Sequence, residues 1–258
     1  MIKKFSIDNI NIACWINPCD FGRHQRSLIF IHGSGSDHSS WSHQYSKLYH
    51  QFNIVAINLP GHGQSGGSGE TEVDNYCLWV KQLLDILQLK NPVLIGSSLG
   101  AAITLKIALH YPQAVKGIVP VGAGIKMPVN PLLLEGLKTN PEETIALMCK
   151  FSLAKENRPK LFDALKKSLS EANLDVFSGD LTACNKLDLT NVIGKIHVPA
   201  LLICGAEDKM TPPDFSRRIV AGISSAKLCL IEGAGHEVML EKPAEFNKAL
   251  SEFASSFC

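Results

Sequence analysis

The chain has 258 residues, 45% of them apolar and 19% charged, and its 25 Lys and Arg nearly cancel its 24 Asp and Glu. That length suits one large domain or a domain with an insertion, and the apolar share is that of a soluble globular chain. The balanced charge offers no field for nucleic acid or an anionic membrane, and points to small, neutral or mildly polar ligands.

Residues 2–8 and 10–16 alternate apolar and polar about Asp8-Asn9, which predicts an antiparallel hairpin at a sheet edge. Asp8, Asn9 and Asn11 interrupt any apolar signal run after Lys3-Lys4, and no stretch reaches the length of a membrane span. The eight cysteines include no CxxC pair, and Cys204 and Cys229 sit inside apolar runs. They are expected to be buried thiols in a cytoplasmic protein.

Residues 27–31 are apolar without alternation, as in a strand buried on both faces, and end in His32-Gly33-Ser34-Gly35. A polar helix is predicted over 37–50, with Trp41, Tyr45 and Leu48 at helical spacing. A second buried strand over 52–59 runs into Leu59-Pro60-Gly61-His62-Gly63-Gln64-Ser65 and a glycine-rich loop. Val73, Tyr76, Cys77, Val80, Leu83, Leu84 and Leu87 then trace one face of an amphipathic helix.

Next, the apolar run Val93-Leu94-Ile95 stops at Gly96, and a helix-compatible run starts at Leu99. Gly96, Ser98 and Gly100 form GxSxG. A serine on a sharp strand-to-helix turn needs nearly bare residues two before and two after it. Its hydroxyl would project beside a helix N-terminus, whose free N–H groups favour developing negative charge. Ser98 is therefore the candidate nucleophile.

A strand over 115–121 continues the strand–helix–strand rhythm of a mainly parallel sheet covered on both faces. Between 124 and 189 the rhythm breaks. Asn130-Pro131 and Asn140-Pro141 read as helix starts, with Asn140 and Glu143 at capping-box spacing. Helical patterns over 158–172 and 174–186 complete an all-helical insertion. Strands return at 199–205, before Ala206-Glu207-Asp208, and at 226–231, before Gly233-Ala234-Gly235-His236; helices start near Pro212-Pro213 and cover 243–257. The expected fold is α/β, with about eight mostly parallel strands in a core of residues 1–123 and 190–258. Residues 124–189 are expected to form a helical cap.

A serine hydroxyl needs a base, usually histidine, and the histidine needs a carboxylate to fix its tautomer. Ser98, Asp208 and His236 each follow a parallel strand at its C-terminal end, where such sheets place their sites. Glu207 is a rival carboxylate one position away. In this order, and with the segments around His32-Gly33, Pro60-Gly61-His62-Gly63, Gly96-Ser97-Ser98-Leu99-Gly100, Gly205-Ala206-Glu207-Asp208 and Gly235-His236, the chain resembles the α/β-hydrolase fold superfamily over nearly its whole length.

The resemblance implies several roles. Spacing after the strand's glycine favours Asp208 over Glu207. The backbone N–H groups of Ser34 and Leu99 would hold an oxyanion. His32, Gly33, His62, Gly96 and Gly100 would support the site. His32 and His62 have no partners at metal-ligand spacing, so neither metal nor cofactor is expected. Ser34 is smaller than its counterpart in many relatives, which implies a roomier, more polar pocket on its side; Trp41 matches a family position with either a core or a substrate role. The implied activity is hydrolysis of an ester-like bond in a small to medium substrate with an apolar acyl or leaving group. The same fold also allows acyl transfer, carbon–carbon hydrolysis, lyase chemistry or a ligand receptor. Leu132, Leu133, Leu137, Leu147, Met148 and Phe151 would wall a pocket or pack helix on helix. Nothing in the sequence assigns an oligomeric state.

Overall fold

A computed structural model of the chain describes residues 1–257 and builds one eight-stranded sheet in the order β1-β2-β4-β3-β5-β6-β7-β8. β1 (Ile2–Ile7) and β2 (Ile10–Ile16) form the edge hairpin. Its turn residues Asp8 and Asn9 both have positive φ, 48° and 64°, the backbone that a two-residue hairpin turn demands. β3 (Ser27–Ile31), β4 (Asn53–Ile57), β5 (Pro92–Ser97), β6 (Gly117–Val121), β7 (Ala200–Gly205) and β8 (Ala226–Ile231) run parallel. Ile31 pairs with Ile57 on one side and Gly96 on the other. These three strands therefore end level, and the loops after them share one rim.

In chain order the helices are α1 (Ser42–Leu48), α2 (Val73–Leu87), α3 (Leu99–His110), α4 (Pro131–Thr139), α5 (Pro141–Ser152), α6 (Arg158–Ser170), α7 (Leu174–Lys186), α8 (Pro213–Gly222), α9 (Val238–Glu241) and α10 (Pro243–Ser255). The central strands read as unbroken apolar runs because both faces are covered. In β3, Ile29 and Ile31 join a core with Val73, Tyr76 and Ile103 under α2 and α3. Leu28 and Phe30 join the opposite core, with Trp41, Phe246 and Leu250. Trp41 is fully buried, its ring 5.0 Å from Phe30 and 5.9 Å from Phe246, and so serves the core.

Three local expectations change. The segment expected as one helix over 37–50 opens as a 3-10 turn, His38–Trp41, capped by the Asp37 carboxylate on Ser39 N–H at 2.7 Å. Asn130 caps α4 through Leu132 N–H, but Asn140 makes no capping bond; its amide donates to Glu143 Oε2 instead, at 2.6 Å. The last helix is preceded by the unexpected one-turn α9. Cys14, Cys77, Cys149, Cys184 and Cys204 are buried free thiols, Cys19 is exposed and Cys229 half-buried, while Cys258 lies outside the described residues.

α4 to α7 all fall between β6 and β7 and carry a core of their own, which includes Leu137, Ile145, Met148, Leu165, Leu169, Phe177 and Leu181. An isolated antiparallel bridge, Lys126 to Asp188, closes the neck of this stretch. Among the described residues, no helix is long and apolar enough to cross a membrane.

Candidate active site

Ser98 stands between β5 and α3 with φ 52° and ψ −110°, a conformation that costs a non-glycine residue on the order of 1–3 kcal/mol. The neighbours hold it there. A Cβ added to Gly96 would lie 2.0 Å from the Gly100 carbonyl oxygen, and one added to Gly100 would lie 2.3 Å from the Ile31 carbonyl oxygen. Ser98 N–H donates to Val121 O at 2.9 Å, fastening the turn to the end of β6. Leu99 N–H opens α3 and has no acceptor among the described residues; the same is true of Ser34 N–H in the loop after β3.

Asp208 follows β7 and is 3% exposed, whereas Glu207 beside it is exposed. Asp208 Oδ1 accepts from Met210 N–H at 2.8 Å and Thr211 N–H at 2.9 Å. Its Oδ2 accepts from the Thr211 hydroxyl at 2.9 Å and from His236 Nδ1 at 2.8 Å. Thr211 Oγ1 also lies 3.1 Å from His236 Nδ1. In the neutral ring, two oxygens at Nδ1 place the proton there and leave Nε2 as the free acceptor. Burial would lower the His236 pKa, but the charge and hydrogen bond of Asp208 outweigh it and hold the ring above its ordinary 6.5. Burial works to raise Asp208; the charge and hydrogen bond of His236, with the Thr211 bonds, keep it below its ordinary 3.8.

Two cavities, of about 270 and 290 Å³, meet at Ser98, His236, Leu181 and Met210. The first is lined by Ser34, Ser36, Ser39, Ser40, His43 and Glu237, and by Met148, Leu165, Leu169 and Phe177 from α5, α6 and α7. Burial holds the Glu237 carboxyl above its usual range. The second is walled by Met127, Val129, Leu133, Leu147 and Phe151, with Lys209 and Cys184. Burial pushes the Cys184 thiol up to about 12, so this neighbour of Ser34 stays protonated at neutral pH. Of the six apolar side chains expected to wall a pocket or pack on one another, Leu133, Leu147, Met148 and Phe151 line cavities. Leu137 packs inside the helical core and Leu132 is 76% exposed.

The structure thus joins Asp208 to His236 and sets Ser98 beside His236 in both cavity walls, without a hydrogen bond between these two among the described residues. His32 and His62 lie below the rim, their rings 4.7 Å apart. His32 Nε2 accepts from Leu59 N–H at 3.0 Å and Nδ1 donates to Gly33 O at 2.8 Å, so the ring is neutral; burial, aided by the nearby His62 charge, takes its pKa down to about 3. Among the described residues no three His, Cys, Asp or Glu side chains gather as a metal site.

The residues 28–249 match the family model described as the alpha/beta hydrolase family. The chain belongs to that family. This hydrolase is 28% identical over 251 residues to the AB hydrolase superfamily protein YisY of Bacillus subtilis (strain 168), covering 90% of this chain and 93% of that one. It is also 28% identical to a 2-hydroxy-6-oxononadienedioate/2-hydroxy-6-oxononatrienedioate hydrolase of Paraburkholderia phymatum, over 91% of this chain and 88% of that protein. Among solved structures, that of a thermophilic esterase superposes with a TM-score of 0.88 at 32% identity, covering 99% of this chain and 98% of the other.

Four residues that ionise or hydrogen-bond in the hydrolase's site region escape the sequence reading. Thr211 gives no motif signal. Ser152 O accepts from His236 N–H at 2.6 Å, a contact across the helical stretch. Glu241 Oε1 accepts from Gly235 N–H, while its Oε2 accepts from Ala154 N–H and the Asn157 amide, tying the His236 loop to the end of α5. Asp180 has a visible signal. It falls on the stripe Val176, Phe177, Leu181, Cys184 that faces inward, where a carboxylate is out of place unless partnered.

Proposed function

We propose that this hydrolase cleaves ester-like bonds of small to medium substrates through a Ser98–His236–Asp208 triad and an acyl-enzyme. The observation that carries the reading is the strained, glycine-flanked Ser98, set at a helix N-terminus in the wall of two cavities that it shares with His236. His236 Nε2 takes the Ser98 hydroxyl proton as Oγ bonds to the carbonyl carbon. The carbonyl π pair moves onto oxygen, where the free N–H groups of Leu99 and Ser34 receive it. Asp208 holds the imidazolium through Nδ1. The intermediate collapses, the bond to the leaving oxygen breaks, and His236 returns the proton to that oxygen. Water, deprotonated by the same nitrogen, then attacks the acyl carbon, and Ser98 leaves with the proton.

The insertion over 124–189 is read as a cap that supplies the apolar walls, with the acyl and leaving groups in different lobes. The similar Paraburkholderia protein is named for a dienedioate, which makes carbon–carbon hydrolysis the second reading. Charge favours the ester: the cavity walls carry one lysine, Lys209, against Glu237, a poor match for a dianion.

Steady-state turnover of p-nitrophenyl esters tests the proposal. Ser98→Ala and His236→Ala should each lower kcat by roughly a millionfold, and Asp208→Ala by less, by analogy with triads dissected one residue at a time. Equal rates in the wild type and His236→Ala would remove His236 as the base.

A further inference from the structure

Asp180 is fully buried on α7, yet its carboxylate accepts hydrogen bonds from three separate segments. Oδ2 accepts from Gly35 N–H at 2.9 Å, in the loop after β3, and from His62 Nε2 at 2.8 Å, in the loop after β4. Oδ1 accepts from the Tyr76 hydroxyl at 2.5 Å, on α2. His62 Nδ1 meets Pro60 O at 3.0 Å, so both ring nitrogens face acceptors and the ring carries two protons. Burial acts to lower the His62 pKa, but the hydrogen bond and charge of Asp180 raise it above its ordinary value. The carboxylate thus has the His62 ring as an ion-pair partner beside its other hydrogen-bond donors. A buried ion pair is poorly explained by stability alone, since an apolar side chain fills such space at least as well. What the carboxylate adds is direction.

The bond to Gly35 sits one residue from Ser34. Ser36 N–H closes back on Gly33 O at 3.3 Å, folding the loop tightly around Ser34. Gly35 has φ +67°, and a Cβ there would lie 2.7 Å from the Phe177 ring, which also belongs to α7. α7 therefore holds Gly35 both by a ring face and by a carboxylate.

We infer that Asp180 is a positioning residue for the oxyanion site: through Gly35 it fixes the direction of Ser34 N–H and so makes the helical insertion part of the catalytic geometry. This rests on the proposal that Ser34 N–H receives the oxyanion and Ser98 is the nucleophile. Asp180 touches neither substrate nor reacting atoms.

Asp180→Ala and the isosteric Asp180→Asn, in the full chain, test it with a fluorophosphonate probe, a p-nitrophenyl ester and a trifluoromethyl ketone of matching acyl group. The final extent of fluorophosphonate labelling counts competent sites. Per labelled site, Asp180→Ala should lose roughly 100-fold in kcat with KM changed less than about threefold, the size of losing one oxyanion donor. Affinity for the ketone, which binds as an oxyanion-bearing hemiketal, should fall in parallel with kcat/KM. Asp180→Asn keeps one acceptor oxygen and should lose less. The inference is overturned if either variant keeps wild-type kcat and ketone affinity per labelled site, the signature of a merely structural role; should Asp180→Ala give no labelled protein, Asp180→Asn decides alone. Failure of the underlying triad shows differently, as a wild type that does not label or a Ser98→Ala that does.

Discussion

At the residue scale, the site rests on one strained backbone and one buried pair. Ser98 at φ 52° is stable only because Gly96 and Gly100 let α3 and the end of β3 close to carbonyl contact. Gly96→Ala forces a Cβ to 2.0 Å from a backbone oxygen that no side-chain rotation can move. It should abolish ester turnover or folding, read by activity and circular dichroism together. On the proposed mechanism, the pair Asp208–His236 sets the pH response. Since Asp208 holds His236 above 6.5, and the neutral ring is the proposed base, the acidic limb of kcat/KM should lie above that pH. In Asp208→Asn the limb should move to lower pH and kcat should fall by on the order of ten-thousandfold, as when a triad aspartate loses its charge elsewhere. A pH–rate profile of both proteins checks the direction of that shift.

At the scale of elements, α5 and α7 each reach the site, through Ser152 to His236 and through Asp180 to Gly35. The Asp180–His62 pair carries a definite pH sign. The folded pKa of His62 is raised, so its contribution to stability is complete below its ordinary 6.5 and is lost as pH rises through the folded value. The difference in Tm between wild type and His62→Gln should therefore be largest at acidic pH and shrink toward alkaline pH; a constant difference would deny the charged pair. The strands were legible in the sequence because burial on both faces leaves unbroken apolar runs such as residues 28–31, and the helix over Val73–Leu87 because its apolar stripe is regular. That Asp208 meets His236 and shares cavity walls with Ser98 was legible because each of the three follows a parallel strand. The insertion was legible as helices but not as a path. Asp180 meets Gly35 across 145 residues, and which of Leu132, Leu133 and Leu137 faces the site depends on how α4 lies against α5 and α7. Local pattern holds no record of such contacts, nor of Thr211, whose hydroxyl matters only once Asp208 and His236 have met.

At the scale of the whole molecule, the sheet brings the ends of β3, β4, β5, β7 and β8 to one rim, and side chains of the four helices between β6 and β7 line the two cavities that meet at Ser98. With Lys209 opposing Glu237 across the lobes, neutral esters should be processed with higher kcat/KM than isosteric dianionic ones. Comparing a neutral ester with its dicarboxylate counterpart reads this directly, and a preference for the dianion would favour the carbon–carbon reading. Intact-protein mass spectrometry after fluorophosphonate treatment tests most directly whether Ser98 is an activated nucleophile. One adduct per chain, mapping to the peptide that contains Ser98 and absent from Ser98→Ala, is the predicted result. An unmodified wild type, or an adduct that persists in Ser98→Ala, would contradict it.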